Sequence, residues 1–425
     1  MTTTSAASKR WMIVLGTVIM QMGLGTIYTW SLFNAQLVSK FGWELSAVSI
    51  TFSITSFALA FATLFAGKLQ DKIGLRKLTA SAGIMLGLGL MLSSQASSLP
   101  MFYLLAGVVV GYADGTAYIT SLSNLIKWFP KHKGLISGVS VGAYGTGSLV
   151  FKYINGSLIE SAGVSDTFLY WGMIVMVMVV TGSLLVREAP AAVSAGSSAQ
   201  GETQPAQSAA AAKTGIPVKD YTVKEMLHTK EAYLLFVIFF TACMSGLYLI
   251  GIVKDIGVTL AGLDAGTAAN AVAMIAIFNT AGRLVLGALS DRMNRLTLVS
   301  LTLAVTAAAM LTLSFADLSY GLFFTCVAAI AFCFGGNITV FPAIVSDFFG
   351  LKNHSKNYGV VYQGFGIGAL SGSFIAAFLG GFQPTFIVFG GLCILSCILA
   401  ISLKPPGQKQ AKEKEMSLKP FGRMA

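Results

Sequence analysis

Charge is what this chain has least of. Asp and Glu number 17 and Lys and Arg 28 in 425 residues, so charged side chains make up 11%. A soluble domain carries roughly 25%, and the shortage excludes an ordinary water-facing globular surface. Cysteine is sparse too: Cys243, Cys326, Cys333, Cys393 and Cys397 all fall inside apolar runs. They have neither the setting of a disulfide framework nor the spacing of metal ligands, and read as small helix-packing residues. The three histidines, His132, His228 and His354, lie in polar segments without ligand spacing. No nucleophile–base set or phosphate loop is apparent. The chain is therefore not read as an enzyme, and no metal or cofactor is expected.

What is abundant is apolar. Hydrophobic residues make up 55%, glycine numbers 46, and the mean hydropathy is +0.75. A bilayer-spanning helix needs about 20 mostly apolar residues. Such runs fall near 11–33, 46–69, 77–96, 101–126, 134–158 and 166–187, then near 232–253, 267–290, 297–314, 319–341, 357–380 and 384–402. The first is too long for a signal-peptide core and lacks a small-residue cleavage site, so it is read as a retained helix. The expected fold class is an all-α membrane protein of twelve transmembrane helices in two six-helix, pseudo-symmetric bundles. Residues 1–187 form the first bundle, 188–231 a linker, 232–402 the second bundle and 403–425 a tail. The linker is Ala/Ser/Gly-rich through Ala212 and reads as flexible. Its end changes character, for Thr222 and Glu225 form a capping-box pattern opening a short surface helix. That helix either braces the two halves or simply leads into the seventh span.

The formal net charge of +11 would suit a nucleic-acid binder if the bases were clustered on a soluble face. Instead they sit between apolar runs: Lys9 and Arg10, then Lys68, Lys72, Arg76 and Lys77, then Lys127, Lys131 and Lys133. Arg292, Arg295, Lys352, Lys356 and the tail from Lys404 continue the series. With alternating helices all of these share one side, the positive-inside pattern, so both termini are expected in the cytoplasm. The lipid bilayer is the partner expected from this pattern, with a monomeric chain and no nucleic acid.

One phrase occurs twice. Residues 67–77 read GKLQDKIGLRK and residues 287–297 read GALSDRMNRLT, each closing an apolar run. Gly67, Asp71 and Lys72 match Gly287, Asp291 and Arg292, and Arg76 follows in the first copy. One copy would read as plain topogenic charge. Two copies at matching offsets, after the second and eighth spans, read as the gating loops of a duplicated transporter, in which the Asp caps a neighbouring helix or pairs with an Arg. A weaker echo joins GAYGTGS (142–148) and GFGIGALSGS (364–373), whose small residues let helices approach and slide.

Charges inside spans are costly and mark function by default. Arg283 lies eight residues before Asp291, roughly 12 Å into the bilayer at about 1.5 Å per residue. Its planar fork suits a carboxylate; the plainer alternative is a structural salt bridge or bonds to backbone carbonyls. Asn279, one turn earlier, could orient that guanidinium or the substrate. Lys152, nineteen residues after Lys133, either snorkels to the outer headgroups or lines the outer cavity. Asp114 sits deep in the fourth span with Tyr118 four residues on. It reads as a proton-coupling carboxyl or a structural partner. A sharper expectation pairs ionised Asp114 with Lys152, so that protonation frees the lysine for an anion.

The layout resembles the major facilitator superfamily. The stretches YTWSLF (28–33), KWFPKHKG (127–134), AYGTG (143–147), FPAIVSDFFG (341–350) and KNYG (356–359) resemble its bacterial oxalate/formate antiporter family over essentially the whole chain. The resemblance implies that Arg283 clasps the anionic substrate. It also puts Tyr28, Tyr118 and Tyr144 where the family's substrate cage has tyrosines, and Phe334 where it has a Trp. Two positions depart from it: Phe365 stands where the family has a second cation, a Lys, and Ile338 where it has a cage Tyr. A dianion such as oxalate then fits less well than a monocarboxylate. The sequence thus predicts a multi-pass transporter of the bacterial inner membrane. It would carry a small organic anion such as pyruvate or formate by alternating access, proton-coupled or in exchange. True oxalate/formate exchange is the alternative within the class. A non-transporting carboxylate sensor is the alternative outside it, although neither linker nor tail is large enough for a signalling domain.

Overall fold

The structure, a computed structural model, describes residues 2–190 and 219–406. The Ala/Ser/Gly-rich part of the linker and the tail beyond 406 lie outside them. The described residues fold as helices and connecting turns. Eleven helical segments are long and apolar enough to cross a membrane. One of these, Lys133–Leu185, runs through Gly163, whose φ of 79° and ψ of 170° break the helix. It therefore contains both the fifth and the sixth spans, which makes twelve. A residue with a Cβ resists that left-handed φ, so glycine sets where the chain folds back.

The first span runs through Thr2–Leu24, a 3₁₀ turn at Gly25–Thr29 and Ser31–Phe41. Leu45–Ile73, Leu75–Ser93 and the stretch from Leu99 to Trp128 are the second to fourth spans. In the other half the seventh to tenth spans are Lys230–Ala261, Ala265–Ser290, Arg295–Phe315 and Tyr320–Phe349. The eleventh is split at Tyr362 into His354–Val361 and Gln363–Leu379, and Phe382–Ser402 is the twelfth. Duplication is visible in the backbone. Gly42 (φ 68°) and Gly262 (φ 60°) close the first and seventh spans in left-handed conformation, at the same sequence offset that separates Gly67 from Gly287.

The halves meet along two pairs of spans. Gly138 lies against the backbone carbonyl of Arg283 and Gly145 against Thr280, joining the fifth span to the eighth. Gly359 meets the Thr63 carbonyl and Gly366 meets Ala60 and Phe57, joining the eleventh to the second. The small-residue stretches thus face the opposite half, where an absent Cβ lets helix backbones touch. Polar contacts cross the same plane: Ser137 Oγ donates to Thr339 O at 2.8 Å, and Gln363 Nε2 donates to Ala60 O at 2.7 Å.

The capping box forms. Thr222 accepts from the Glu225 N–H and the Glu225 carboxylate accepts from the Thr222 N–H, opening Val223–Leu227. The preceding residues tie this helix to the second half only. Tyr221 N donates to Phe349 O at 2.9 Å, the Tyr221 carbonyl accepts from Asn353 and Asn357, and Asp220 accepts from Lys352 N. In the described residues it leads into the seventh span rather than bracing the two halves.

Candidate anion-binding site

Near mid-depth the first span gives up its α-helical winding. Gly25 abuts the main chain of Tyr144, closer than any side chain would allow. Thr26 and Thr29 turn their hydroxyls onto the carbonyls of Gly23 and Thr26, each at 2.8 Å. Trp171 Nε1 donates to Thr26 Oγ1 and Asn155 Nδ2 to Thr29 Oγ1, at 2.8 and 3.0 Å. The tightened turn sets the Tyr28 ring 5.2 Å from that of Tyr144, edge-on, with Tyr118 5.7 Å from Tyr144 on its other side.

Arg283 enters this cage from the other half. The side chain is 1% exposed, and its Nη1 donates to the Val141 carbonyl at 2.6 Å. The guanidinium carbon lies 5.7 Å from the centroids of both Tyr28 and Tyr144, a cation held between two π faces. Nε and Nη2 make no hydrogen bond of good geometry, although the Tyr28 hydroxyl lies close enough to interact with the guanidinium, and Arg283 is in none of the ion pairs among the described residues. A buried cation with two free donors in a fork is a half-complete anion site. Asn279 donates to Ala331 O at 3.3 Å, so its amide is tied to the tenth span rather than to the guanidinium.

A small open cavity of about 50 Å³ begins at this cage. Tyr28, Thr29, Leu32, Ser148 and Lys152 line it from the first half, and Ile250, Val272, Ile275, Ala276 and Asn279 from the second. It lies on the side away from the basic loops. Leu32, Ile250, Val272, Ile275 and Ala276 give it apolar walls, and the other lining residues each bring a polar group, a make-up suited to a small polar molecule. Lys152 lies on this wall with its ammonium 5.5 Å from the Tyr153 ring.

Asp114 is fully buried, and its carboxylate accepts from the Tyr144 hydroxyl at 3.4 and 3.5 Å. The expected Asp114–Lys152 pair is not among the ion pairs of the described residues. Lys152 stands two turns beyond Tyr144 on the fifth span, roughly 12 Å along the axis, whereas Asp114 sits at the level of the Tyr144 hydroxyl. Phe334 is buried against Gly246 of the seventh span and does not line the cavity.

The opposite, basic side is shut. Asp291 accepts from the main-chain N–H of Gly134 and Leu135, each at 2.9 Å, capping the fifth span from across the halves. A carboxylate there also meets the positive end of the helix dipole. Gly134 makes this possible, because a Cβ would run into Ser290 and the Gly287 carbonyl. Arg295 bridges Asp291 at 2.7 Å and Asp347, and Asp347 reaches across to Lys133 at 3.4 Å. In the other copy Asp71 pairs with Lys356 at 2.5 Å, and Gly67 packs on the same lysine. Arg76 donates to Val186 O within its own half, while Lys72 and Arg292 are exposed.

Sequence reasoning missed three members of this layer. Arg295 was read only as topogenic charge, and Asp347 stood unremarked within a quoted stretch. His354 is buried, with Nδ1 3.2 Å from Ser123 Oγ of the first half and Nε2 2.9 Å from Pro342 O. It also missed Tyr362, whose ring lies 5.4 Å from Tyr118 and stacks on Phe365 at 5.1 Å. Tyr358 and Tyr362, one helical turn apart, were the available signal.

Comparison with known proteins agrees with this architecture. The Major Facilitator Superfamily model matches residues 13–324 and 235–424. The chain is 45% identical to the uncharacterized MFS-type transporter YhjX of Escherichia coli, over 98% of this chain and 100% of that one. It is 26% identical to the oxalate:formate antiporter of Oxalobacter formigenes, over 95% and 93% of the two chains. Against monocarboxylate transporter 13 of Rattus norvegicus it is 24% identical, over 92% and 88%. The crystal structure of the transporter FucP in the outward conformation superposes with a TM-score of 0.68, at 13% identity, covering 92% of this chain and 98% of that one. Two six-span halves, a cavity lined by both and these matches lead to one conclusion: the chain belongs to the Major Facilitator Superfamily, a multi-pass membrane transporter and not an enzyme.

Proposed function

We propose that this transporter carries a small monocarboxylate, such as pyruvate or formate, across the bacterial inner membrane by alternating access, coupled to protons or to exchange with another carboxylate. Both termini and the basic loops lie in the cytoplasm on this reading, following the positive-inside pattern, and the cavity then opens outward. The observation that carries it is Arg283: a wholly buried guanidinium with two free donors, caged by Tyr28 and Tyr144. Tyr118 completes the cage, Asn279 lines the approach and Lys152 draws the anion into the outer half. Asp114 is the proton-carrying carboxyl, and Gly67, Asp71, Gly287 and Asp291 form the inner gate, with Lys72, Arg76 and Arg292 giving the loops their charge.

The relatives named oxalate:formate antiporter and monocarboxylate transporter support a carboxylate as cargo. Phe365, stacked on Tyr362 and 1% exposed, favours a single negative charge, since that position holds a ring and no cation. Uptake of labelled pyruvate, formate and oxalate into proteoliposomes tests the reading. Saturable transport of a monocarboxylate that excess oxalate does not inhibit is expected. Oxalate inhibition as strong as self-inhibition would point to oxalate/formate exchange, and binding without flux would point to a sensor.

A further inference from the structure

Tyr144 is shared between two groups that cannot both use it. Its hydroxyl is the donor to the fully buried Asp114 carboxylate, at 3.4 and 3.5 Å. Its ring also walls the Arg283 guanidinium on one side, and Tyr28 walls the other. Neighbouring rings hold it in place, Tyr28 at 5.2 Å and Tyr118 at 5.7 Å. The ring is fixed; the hydroxyl hydrogen is free to turn about the C–O bond. A phenol has one hydrogen to donate. It serves either Asp114 or an anion seated on the Nε and Nη2 of Arg283, not both.

The groups around Asp114 that could alter this balance are few. Tyr118 shares its helix, Tyr28 faces it from the first span and Tyr144 from the fifth; Arg283 stands behind Tyr144, and Tyr362 with Tyr358 continues the cluster on the eleventh. On the second span the backbone at Thr55 and Leu59 packs on Gly111 and Gly115 beside it. Asp114 is in none of the ion pairs among the described residues. Ionised, it therefore depends on the Tyr144 hydrogen, because a buried charge without a hydrogen bond is costly.

We propose that Tyr144 is the positioning residue that couples proton to anion: protonation of Asp114 releases the Tyr144 hydroxyl, which then donates to the carboxylate held by Arg283. The inference rests on the monocarboxylate reading above and deepens it. The proton comes ultimately from solvent water and is taken up by an Asp114 oxygen; the Tyr144 proton is not transferred, only redirected. The ionised state of Asp114 keeps the hydroxyl and leaves the guanidinium fork one donor short. Binding order follows, proton before anion, and the pair travels together.

The test is pyruvate binding to the purified full-length protein, by calorimetry or thermal shift, across a pH series. Because the redirected hydrogen bond is worth about tenfold, wild-type affinity is expected to weaken by about tenfold in all as pH rises through the titration of Asp114, at most about threefold per pH unit. Tyr144→Phe is expected to bind about tenfold more weakly than wild type at low pH, because it lacks the charge-assisted hydrogen bond, and to lose the slope. Asp114→Asn can donate its amide N–H to the tyrosine oxygen. It is expected to keep low-pH affinity at every pH and to lose proton-driven accumulation in vesicles. A Tyr144→Phe protein with the wild-type slope overturns the coupling. So does an Asp114→Asn protein, folded by size-exclusion chromatography, that binds more weakly than wild type at high pH. A wild type that binds pyruvate with no slope overturns the coupling and leaves the carrier reading standing. No binding of any carboxylate sinks the carrier reading, and the coupling with it.

Discussion

Replacing Arg283 by Gln separates a ligand-waiting arginine from a structural one, because the two make opposite demands on the empty protein. A buried cation that completes a structural ion pair costs about 3–5 kcal/mol when removed. Arg283 has no such pair. It has one charged hydrogen bond, to Val141 O at 2.6 Å, worth about 1.5–3 kcal/mol, and two ring contacts worth about 1–2 kcal/mol together. Against these stand the unsatisfied Nε and Nη2, each costing about 1–3 kcal/mol. The mid-range values of the two sides nearly cancel, so the Arg283→Gln protein without ligand is expected to melt near its parent. Its loss appears with ligand. Leaving a desolvated carboxylate without its fork is expected to cost about 3–5 kcal/mol, roughly 10²–10³-fold or more in Kd. Thermal unfolding in detergent with and without pyruvate reads both quantities. A variant that unfolds much earlier without ligand, or that keeps the parent's pyruvate-dependent stabilisation, refutes the assignment. Arg283→Lys is expected to recover only part of the binding, since an ammonium lacks the planar fork.

Phe365→Lys puts a second cation beside Tyr362, and is expected to raise oxalate inhibition of uptake at least tenfold relative to formate. Unchanged selectivity would mean that charge count at this position does not set the substrate. Asp291→Asn weakens the cap on Gly134 and Leu135 and the pair with Arg295, about 1–2 kcal/mol at a partly buried helix end. Maleimide labelling of a cysteine placed at Ser137 is expected to accelerate about 5- to 30-fold from the basic side, and no acceleration would remove Asp291 from the gate. The surface helix gives a pH test. Lys219, donating at 2.7 Å, and the Thr222 contacts hold the Glu225 carboxyl down from its ordinary 4.5 to about 2. The folded state lowers this pKa, so the stabilisation is complete above about 4.5 and is lost as pH falls toward about 2. Amide exchange at Glu225 should speed up over that window, allowing for the intrinsic pH dependence, and flat protection would refute it.

The twelve spans were legible because hydropathy and length report directly on bilayer crossing. The doubled phrase was legible because duplication leaves the same residues at the same helix end. What it does there was only half legible. Asp291 caps the fifth span as expected, but its equivalent Asp71 only meets Lys356 at the surface. The difference lies in what each aspartate faces. Gly134 exposes two main-chain N–H groups to Asp291, whereas the side chain of Lys356 faces Asp71, and no pattern within either phrase encodes its partner. Arg295, Asp347 and Lys133 escaped for the same reason: the two bases look like topogenic charge and the acid like an isolated helix-end carboxylate until tertiary contact brings all three together.

The site shows the limit more sharply. Arg283 could be singled out by depth alone, yet what makes it a binding group is the absence of a partner for two of its nitrogens, and an absence has no sequence signature. Lys152 and Asp114 were paired on charge and depth, and the structure separates them because the fifth span advances about 1.5 Å per residue and Tyr144 intervenes. The same geometry links chemistry to motion. Arg283 belongs to the second half, while Tyr28, Tyr144 and the Val141 carbonyl belong to the first. Gly138, one turn from Val141 and nearly two from Tyr144, is one of the points where the backbones of the two halves touch. Any rocking of the halves about that contact must pull the guanidinium away from Val141 O or drag the tyrosine cage with it. An anion bridging Arg283 and Tyr144 would resist that separation, so occupancy of the site and the relative position of the halves are one thermodynamic variable, not two.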